Sequence, residues 1–206
     1  MKLSTYDNKI ICVKDTGGHV FTGIASFLVK EYCLHEYNCE EEGLQIGEYV
    51  LFASEIDSVE ELSTFALIRA TETWQQAGAY YVRIQAMAKK HHITLRQEFD
   101  EHDSPDTKYI VVTDDDFPIA TARMYQLDET SVMIGRVVVL PEYRHRGIGT
   151  MVVQECEKWA EELGYGKTVL ESRDNKVEFY QSMGYEMTGE VVEGDTFRCF
   201  RMEKAL

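Results

Sequence analysis

The sequence predicts an α/β protein in which a small all-β barrel domain precedes a mixed, mostly antiparallel sheet flanked by helices. Residues 1–61 contain only short strand patterns, whereas residues 62–206 alternate between helical and strand patterns. Within the second part, an apolar strand ending at Leu140 leads through two glycines into an amphipathic helix. A chain of 206 residues is long enough for two domains, so we expect one in residues 1–61 and another in residues 62–206.

Five short strands are predicted in the first domain, at residues 8–14, 19–29, 44–46, 49–52 and 55–59. The Asp-Thr-Gly-Gly run at 15–18 is a hairpin signal between the first two strands, and an acidic loop is expected at 36–43. Gly23 lies inside the second strand, where a glycine permits the sharp bend that small barrels need. This opening, together with the closing run at 54–59, resembles an Sm-like small β-barrel.

The second domain is predicted to contain helices at 64–76, 79–90, 149–163 and 175–183 and strands at 107–113, 118–127, 131–140, 168–171, 185–191 and 196–203. The third helix shows the clearest periodicity, with Val152, Cys156 and Trp159 on one face. Gly164 is placed to end that helix in the left-handed conformation. This order of elements predicts a mixed sheet with helices on both faces.

The composition argues against a nucleic-acid partner, membrane association and a metal site. The net charge of −15 would repel a phosphate backbone, so we expect no nucleic-acid partner, although an amine-bearing partner is compatible with it. No apolar run approaches the roughly 18 residues of a membrane span, and residues 1–7 lack the apolar stretch of a signal peptide, so we expect no membrane association. The five cysteines form no CxxC pair and no zinc spacing, which predicts free thiols, a cytoplasmic location and no metal site.

The loop between the apolar strand and the third helix carries the strongest chemical signal. The strand ends at Pro141, which cannot donate a ladder hydrogen bond, and three basic-capable residues at 144–146 precede Gly147 and Gly149. Because the two glycines leave the backbone open, a bulky anion can reach the unpaired N–H groups at the positive end of the helix dipole. The pattern lacks the third glycine of the dinucleotide fingerprint and the Lys-Ser/Thr of a P-loop. It predicts a pyrophosphate-binding loop or, without a ligand, a simple strand-to-helix turn.

Two motifs then occur in order, Arg144-x-x-Gly147-x-Gly149 and, after an intervening helix and strand, Asn175-(x)4-Tyr180-(x)3-Gly184-Tyr185. Over roughly residues 64–206, this combination resembles the GNAT family of acyl-CoA-dependent N-acetyltransferases. The resemblance implies a GNAT sheet, and acetyl-CoA as the cosubstrate with no metal. Its cofactor-binding residues would be Val137, Val138, Val139, Arg144, His145, Arg146, Gly147, Ile148, Gly149, Thr150, Asn175 and Tyr180.

The resemblance also implies a catalytic role for Tyr180, which would donate a proton to the departing CoA thiolate. The base that takes the proton of the amine is left open among carboxylates. Glu98, Asp100 and Asp103 precede the sheet, and Glu171 ends a strand beside the cofactor site; Glu98 and Glu171 are the two we assign as candidates. Glu98 begins a Glu-x-Asp-x-x-Asp segment that follows a helix containing Arg83, an arrangement that resembles ElaA-like members of the family.

The predicted function is therefore direct transfer of the acetyl group of acetyl-CoA to a primary amine. The acceptor, a small molecule or a peptide, is not identified by the sequence. The alternative is an acyl-CoA-binding regulatory module with little or no turnover. A third hypothesis, an Sm-like assembly protein that forms rings and binds RNA, conflicts with the acidic first domain. A small barrel with exposed edges would also allow a homodimer.

Overall fold

The computed structural model of the protein describes residues 1–104, 106–193 and 198–206. Its N-terminal part contains five strands, which are β1 (Ile10–Asp15), β2 (Val20–Leu28), β3 (Gly43–Ile46), β4 (Tyr49–Phe52) and β5 (Ile56–Glu61). They form one antiparallel sheet in the order β4-β3-β2-β1-β5, hereafter the N-terminal sheet. The five predicted strands are all present, and each carries at least one of the β-branched residues that favour extended backbone.

The expectation of a closed barrel in this region is wrong. Within the described residues, no hydrogen-bonded pairing joins β4 to β5, so the N-terminal sheet is open at both edges. Closing a barrel requires strands that tilt and stagger relative to one another. Here β3 and β4 have only four residues each, and the single bend at Gly23 of β2 is not enough to close the sheet. A helix, α1 (Lys30–Tyr37), also extends into the predicted acidic loop and ends at Asn38 in the left-handed conformation.

A seven-stranded sheet forms the second part of the molecule, with strands β6 (Phe65–Arg69), β7 (Lys108–Asp114), β8 (Phe117–Gln126), β9 (Ser131–Val139), β10 (Lys167–Arg173), β11 (Glu186–Glu193) and β12 (Arg198–Ala205). The strand order is β11-β12-β10-β9-β8-β7-β6. Only the β9–β10 pair is parallel among the described pairings, so the predicted mixed, mostly antiparallel sheet is confirmed. Residues 196 and 197 of the last predicted strand lie outside the described residues.

Helices cover both faces of this seven-stranded sheet, namely α2 (Thr73–Arg83), α3 (Lys89–His91), α4 (Leu95–Glu98), α5 (Ile148–Glu162) and α6 (Val177–Gln181). Successive residues of β7 show the two faces, because Ile110 lies in the core with α5 whereas Val111 packs with Ala79 of α2. A π-helical turn (Ile84–Ala88) joins α2 to α3, so these segments form one continuous helix. The sequence had instead predicted that a separate helix starts at residue 79. Across the described residues, no helix combines the length and the apolar character needed to cross a membrane.

The predicted helix at 64–76 is wrong over its first half. Residues 65–69 form β6, which pairs with β7 from Phe65 opposite Asp114 to Arg69 opposite Ile110. A short apolar run is compatible with either structure, and the open edge of β7 favours the strand. Residues after Arg69 then turn into α2, whose first helical residue is Thr73.

A bulge in β9 separates this strand from β10. The two strands pair only from Ser131 opposite Lys167 to Ile134 opposite Leu170. Beyond that point the register of β9 against β8 shifts, and Arg136 adopts a positive φ of 51°. Because a bulge bends its strand, the second half of β9 turns away from β10 and a gap opens between the two strands.

A buried cluster of charged residues lies beside the bulge and consists of Arg83, Arg123, Arg136, Glu98, Asp100 and Asp103. Arg83 is 0% exposed, and its guanidinium donates to Glu98 at 2.8 Å and to Asp103 at 2.5 Å. The carboxylate of Asp100 accepts from Arg123 at 2.7 Å and from Arg136 at 2.9 Å. The cluster has three positive and three negative groups, and it connects α2, the 98–103 segment, β8 and the bulge of β9.

Replacing Arg83 by Met should destabilise the protein by about 3–5 kcal/mol, because Glu98 and Asp103 would then be buried without their main partner. Urea unfolding at pH 7 measures this loss. Arg96→Met is the matched control, since Arg96 is exposed and should change the free energy of unfolding little. Equal effects of the two substitutions would contradict the assigned importance of the buried pairs.

The cluster should also make the protein sensitive to acid. Burial alone would raise the pKa of Asp103, but hydrogen bonds from Arg83, Tyr109 and the backbone of Asp100 lower it well below its usual value. The pKa of Asp100 is likewise lowered. Burial would raise it, but the hydrogen bond and charge of Arg123, the charge of Arg136 and the backbone N–H of His102 together outweigh burial. Both folded-state pKa values lie below those of the unfolded chain, so their stabilisation is complete at neutral pH. It is lost as the pH falls through about 4 towards the lower folded-state values.

Urea unfolding between pH 6 and pH 3 tests this dependence. The free energy of unfolding should fall steeply below pH 4 in the wild type and less steeply in Asp103→Asn, which has one fewer carboxylate to protonate. Parallel pH profiles for the two proteins would show that Asp103 does not contribute.

Candidate active site

The loop between β9 and α5, residues 140–147, folds as the glycines require. A one-turn 3₁₀ helix (Pro141–Tyr143) follows the strand, and the chain then passes through positive φ at His145 (61°) and Gly147 (71°). Gly147 is the N-cap of α5 and has no side chain that could satisfy the first N–H groups of the helix. A Cβ at Gly149 would lie 3.3 Å from the ring of Phe179, so this glycine allows α6 to pack against the start of α5.

The backbone N–H groups of residues 145–150 are available to a ligand. None of these six groups has a hydrogen-bond acceptor among the described residues. On either side the pattern is ordinary, because the N–H of Arg144 donates to Pro141 at 3.3 Å and that of Met151 donates to Gly147 at 3.1 Å. The six donors lie at the positive end of the α5 dipole, and such an arrangement suits an anion.

The basic side chains of the loop are less available than its backbone. The Nε of Arg144 donates to the carbonyl of Val139 at 3.0 Å, which holds the loop against the end of β9. The guanidinium of Arg146 lies 3.5 Å from the carboxylate of Glu60 in β5 and over the ring of Phe65. The two arginine side chains are half-buried, and of the three basic residues at 144–146 only His145 is exposed.

The second half of β9 provides an unpaired strand edge. Val137, Val138 and Val139 lie beyond the last pairing with β10, and on their other side they face β8, with Val138 opposite Thr121. The side chain of Val138 packs with Val82 on the α2 face of the sheet. The backbone edge of β9 lies in the plane of the sheet and therefore faces the gap. An extended ligand could add to this edge by β-type hydrogen bonding.

Tyr180 lies on α6 and packs, with Val137 of β9, against an apolar cluster that includes Leu170 of β10. Its ring packs against those of Phe179 and Tyr185, with centroids 5.0 and 5.9 Å away. Burial raises the pKa of the Tyr180 phenol well above its usual value, so the group is protonated at neutral pH. Asn175 is exposed in the 3₁₀ turn Asp174–Lys176, and Lys176 rather than Asn175 is the N-cap of α6.

The two candidate bases lie in different surroundings. Glu98 is 2% exposed and is paired with Arg83 and with Arg136, whose Nε lies 3.4 Å from it. Glu171 is exposed on β10, one residue past the last pairing with β9, and its carboxylate accepts from Arg201 at 3.0 Å. Glu98 is therefore part of the buried cluster, whereas Glu171 lies at the lip of the gap.

Arg173 and His91, which the sequence analysis did not assign to the site, lie close to each other on one face of the sheet. Leu170 lies in the core with Val153 of α5, so alternation along β10 places Arg173 on the opposite face. There Nη1 of Arg173 is 3.5 Å from Nε2 of His91, and burial together with Arg173 lowers the pKa of this imidazole. No sequence signal separates His91 from His92, because the π-helical turn before α3 determines which imidazole faces the sheet.

Two features indicate the class of protein. The parallel strands β9 and β10 separate part-way along their length, and the start of α5 beside them has no side-chain cap. The model of the Acetyltransferase (GNAT) family matches residues 67–185, which is more than half of the chain. The chain therefore belongs to the GNAT acetyltransferase family and is an acyltransferase. Within the described residues, no group of three or more His, Cys, Asp or Glu side chains is placed to hold a metal ion.

Similar proteins agree with this assignment. The uncharacterized N-acetyltransferase YjcF of Bacillus subtilis (strain 168) is 28% identical over 116 residues, which are 56% of this chain and 81% of YjcF. A proposed N-acetyltransferase from Lactobacillus plantarum superimposes with a TM-score of 0.66 and 26% identity over 69% of this chain and 99% of its own. Escherichia coli ElaA shares the fold, with a TM-score of 0.58 and 22% identity over 68% of this chain and 97% of its own.

Gly147→Ala should destabilise the protein by more than the about 1–2 kcal/mol that a left-handed residue costs an L-amino acid. The added Cβ would also lie 2.8 Å from the backbone nitrogen of Thr22, so the N-terminal sheet would have to move. Gly166→Ala is the control, because nothing lies within 4 Å of its Cβ position. Urea unfolding compares the two variants, and similar midpoints would contradict the packing described for Gly147.

Proposed function

We propose that this protein transfers the acetyl group of acetyl-CoA directly to a primary amine of a small molecule or peptide. The observation that carries this proposal is the set of six free N–H groups at residues 145–150, beside the unpaired edge of β9. The pyrophosphate of the cofactor would bind these N–H groups, and its pantetheine arm would lie along Val137, Val138 and Val139. Asn175, on the exposed turn before α6, would bond to the cofactor or to a bridging water.

The acceptor amine must lose a proton before it can attack the thioester. An alkyl ammonium with a pKa of about 10.4 leaves well under 1% of free amine at pH 7, a cost of about 4–5 kcal/mol. Glu171 fits the role of base better than Glu98, because it lies at the lip of the gap and has a single arginine partner. Glu98 would need to give up ion pairs with two guanidinium groups before it could accept a proton.

Attack of the amine nitrogen on the thioester carbon forms a tetrahedral oxyanion, and a backbone N–H at Val139 would stabilise it. Breakdown of this intermediate releases the amide and the CoA thiolate. Tyr180 would supply the proton that the thiolate takes up. The phenol holds its proton at neutral pH because burial raises its pKa, and its ring packs against the same apolar cluster as Val137 of β9. The ammonium loses two protons in all. The base takes one before the attack, and the other leaves the nitrogen as the amide forms, which balances the proton that Tyr180 delivers to the thiolate.

Tyr180→Phe should lower kcat for acetyl transfer by about 10²- to 10⁴-fold, the range expected when a positioned proton donor is removed. The substitution keeps the ring that packs in the core, so the Kd for CoA should stay within about twofold of the wild type. Thiol release from acetyl-CoA against a broad panel of amines measures turnover, and titration calorimetry measures CoA binding. Tyr165→Phe is the matched control, because Tyr165 lies beyond the opposite end of α5.

Two outcomes would contradict parts of this proposal. An unchanged kcat in Tyr180→Phe would show that another group protonates the thiolate. Tight CoA binding by the wild type, with no transfer to any amine on the panel, would instead indicate the regulatory module that the sequence left as the alternative.

A further inference from the structure

The N-terminal sheet lies outside the family match, which begins at residue 67, and yet it contacts the proposed pyrophosphate loop directly. Thr22 of β2 is 2% exposed, and its hydroxyl donates a hydrogen bond to the backbone carbonyl of Arg146. The neighbouring residue, Gly147, packs so closely on Thr22 that a Cβ there would meet the Thr22 nitrogen at 2.8 Å. The side chain of Arg146 extends towards the same sheet and reaches Glu60 at 3.5 Å.

The N-terminal sheet also holds the helices on both sides of the loop. Tyr49 of β4 donates through its hydroxyl to the carbonyl of Ser182, just after α6, at 3.1 Å. Lys204 of β12 joins Glu48, in the turn between β3 and β4, at 2.9 Å to Glu157 of α5 at 3.0 Å. The contacts therefore reach the loop, α5 and α6 together.

The geometry of one peptide group gives the contact at Thr22 a consequence for ligand binding. The carbonyl of Arg146 and the N–H of Gly147 belong to the same peptide plane, and in a trans peptide they point in opposite directions. No peptide bond in the described structure is cis. Once Thr22 fixes the carbonyl towards the N-terminal sheet, the N–H of Gly147 must point away from that sheet. This N–H is one of the six free donors.

We infer that the N-terminal sheet is a positioning element for the cofactor loop, and that Thr22 is the positioning residue that aims the N–H of Gly147 at the pyrophosphate. The inference rests on the proposed use of acetyl-CoA. It assigns to the first 61 residues a role in cofactor affinity. Because the donor is oriented before the ligand arrives, binding does not have to order it.

Thr22→Val tests this role, since it removes the hydroxyl and keeps the branched shape. We expect its Kd for CoA, measured by titration calorimetry, to rise about fivefold to tenfold, as the loss of one oriented donor implies. Thr22→Ser keeps the hydroxyl and should restore an affinity close to that of the wild type. If Thr22→Val does not fold, Thr22→Ala removes the same hydroxyl with a smaller side chain.

An NMR measurement separates positioning from a general loss of stability. On addition of CoA, the amide proton of Gly147 should move downfield in the wild type and in Thr22→Ser, and clearly less in Thr22→Val. Val13→Ala is the control, because Val13 is buried in the core of the N-terminal sheet and lies in the neighbouring strand β1. This variant should lose stability and keep both the Kd for CoA and the shift of Gly147.

Each result decides between the alternatives. An unchanged Kd in Thr22→Val would overturn the inference while leaving the proposed acetyl transfer intact. An increase in Kd of equal size in Val13→Ala would also overturn it, because affinity would then follow stability alone. A wild-type protein that does not bind CoA would overturn the proposed function, and this inference with it.

Discussion

The ion pairs that Asp100 and Asp103 form with three arginines hold the bulge of β9, and the geometry of the site depends on this bulge. Charges taken out of water are costly unless each one is paired, so the cluster tolerates few other arrangements of its members. Arg136 contributes its side chain to the cluster while its backbone adopts positive φ. If that residue were extended, β9 could continue to pair with β10, and the gap between the two strands would close.

The loop that follows the bulge is shaped from both of its ends. Arg144 fastens its start to the carbonyl of Val139, and the N-terminal sheet contacts it again at Arg146 and Gly147. The carbonyls of Val139 and Arg146 thereby accept hydrogen bonds from side chains of the protein, while the N–H groups of residues 145–150 have no acceptor among the described residues. The proposed anion site would therefore consist of backbone N–H groups, in a loop that contains no lysine.

The sequence was most informative where local chemistry determines the backbone. Pro141, Gly147 and Gly149 define the strand-to-helix loop without help from distant residues, so the loop could be predicted from them. The family resemblance needed the second motif, from Asn175 to Tyr185, as well. The strand at 65–69 could not, because its apolar pattern fits a helix equally well and only the edge of β7 makes it a strand. The open N-terminal sheet and the partners of Glu98 likewise depend on contacts between segments far apart in the chain. A positive φ at an arginine, as at Arg136, has no signature in a single sequence.

The contact between Gly149 and Phe179 links the two ends of the site mechanically. Phe179 precedes Tyr180 on a short helix, so the packing of one ring on the start of α5 sets the separation between the anion-binding loop and the phenol. Rigid packing of this kind keeps the distance between the loop and the phenol constant. In the proposed reaction, an acyl carrier would be selected by the length of its arm as well as by its charged end, because only a matching arm brings the thioester level with the proton donor.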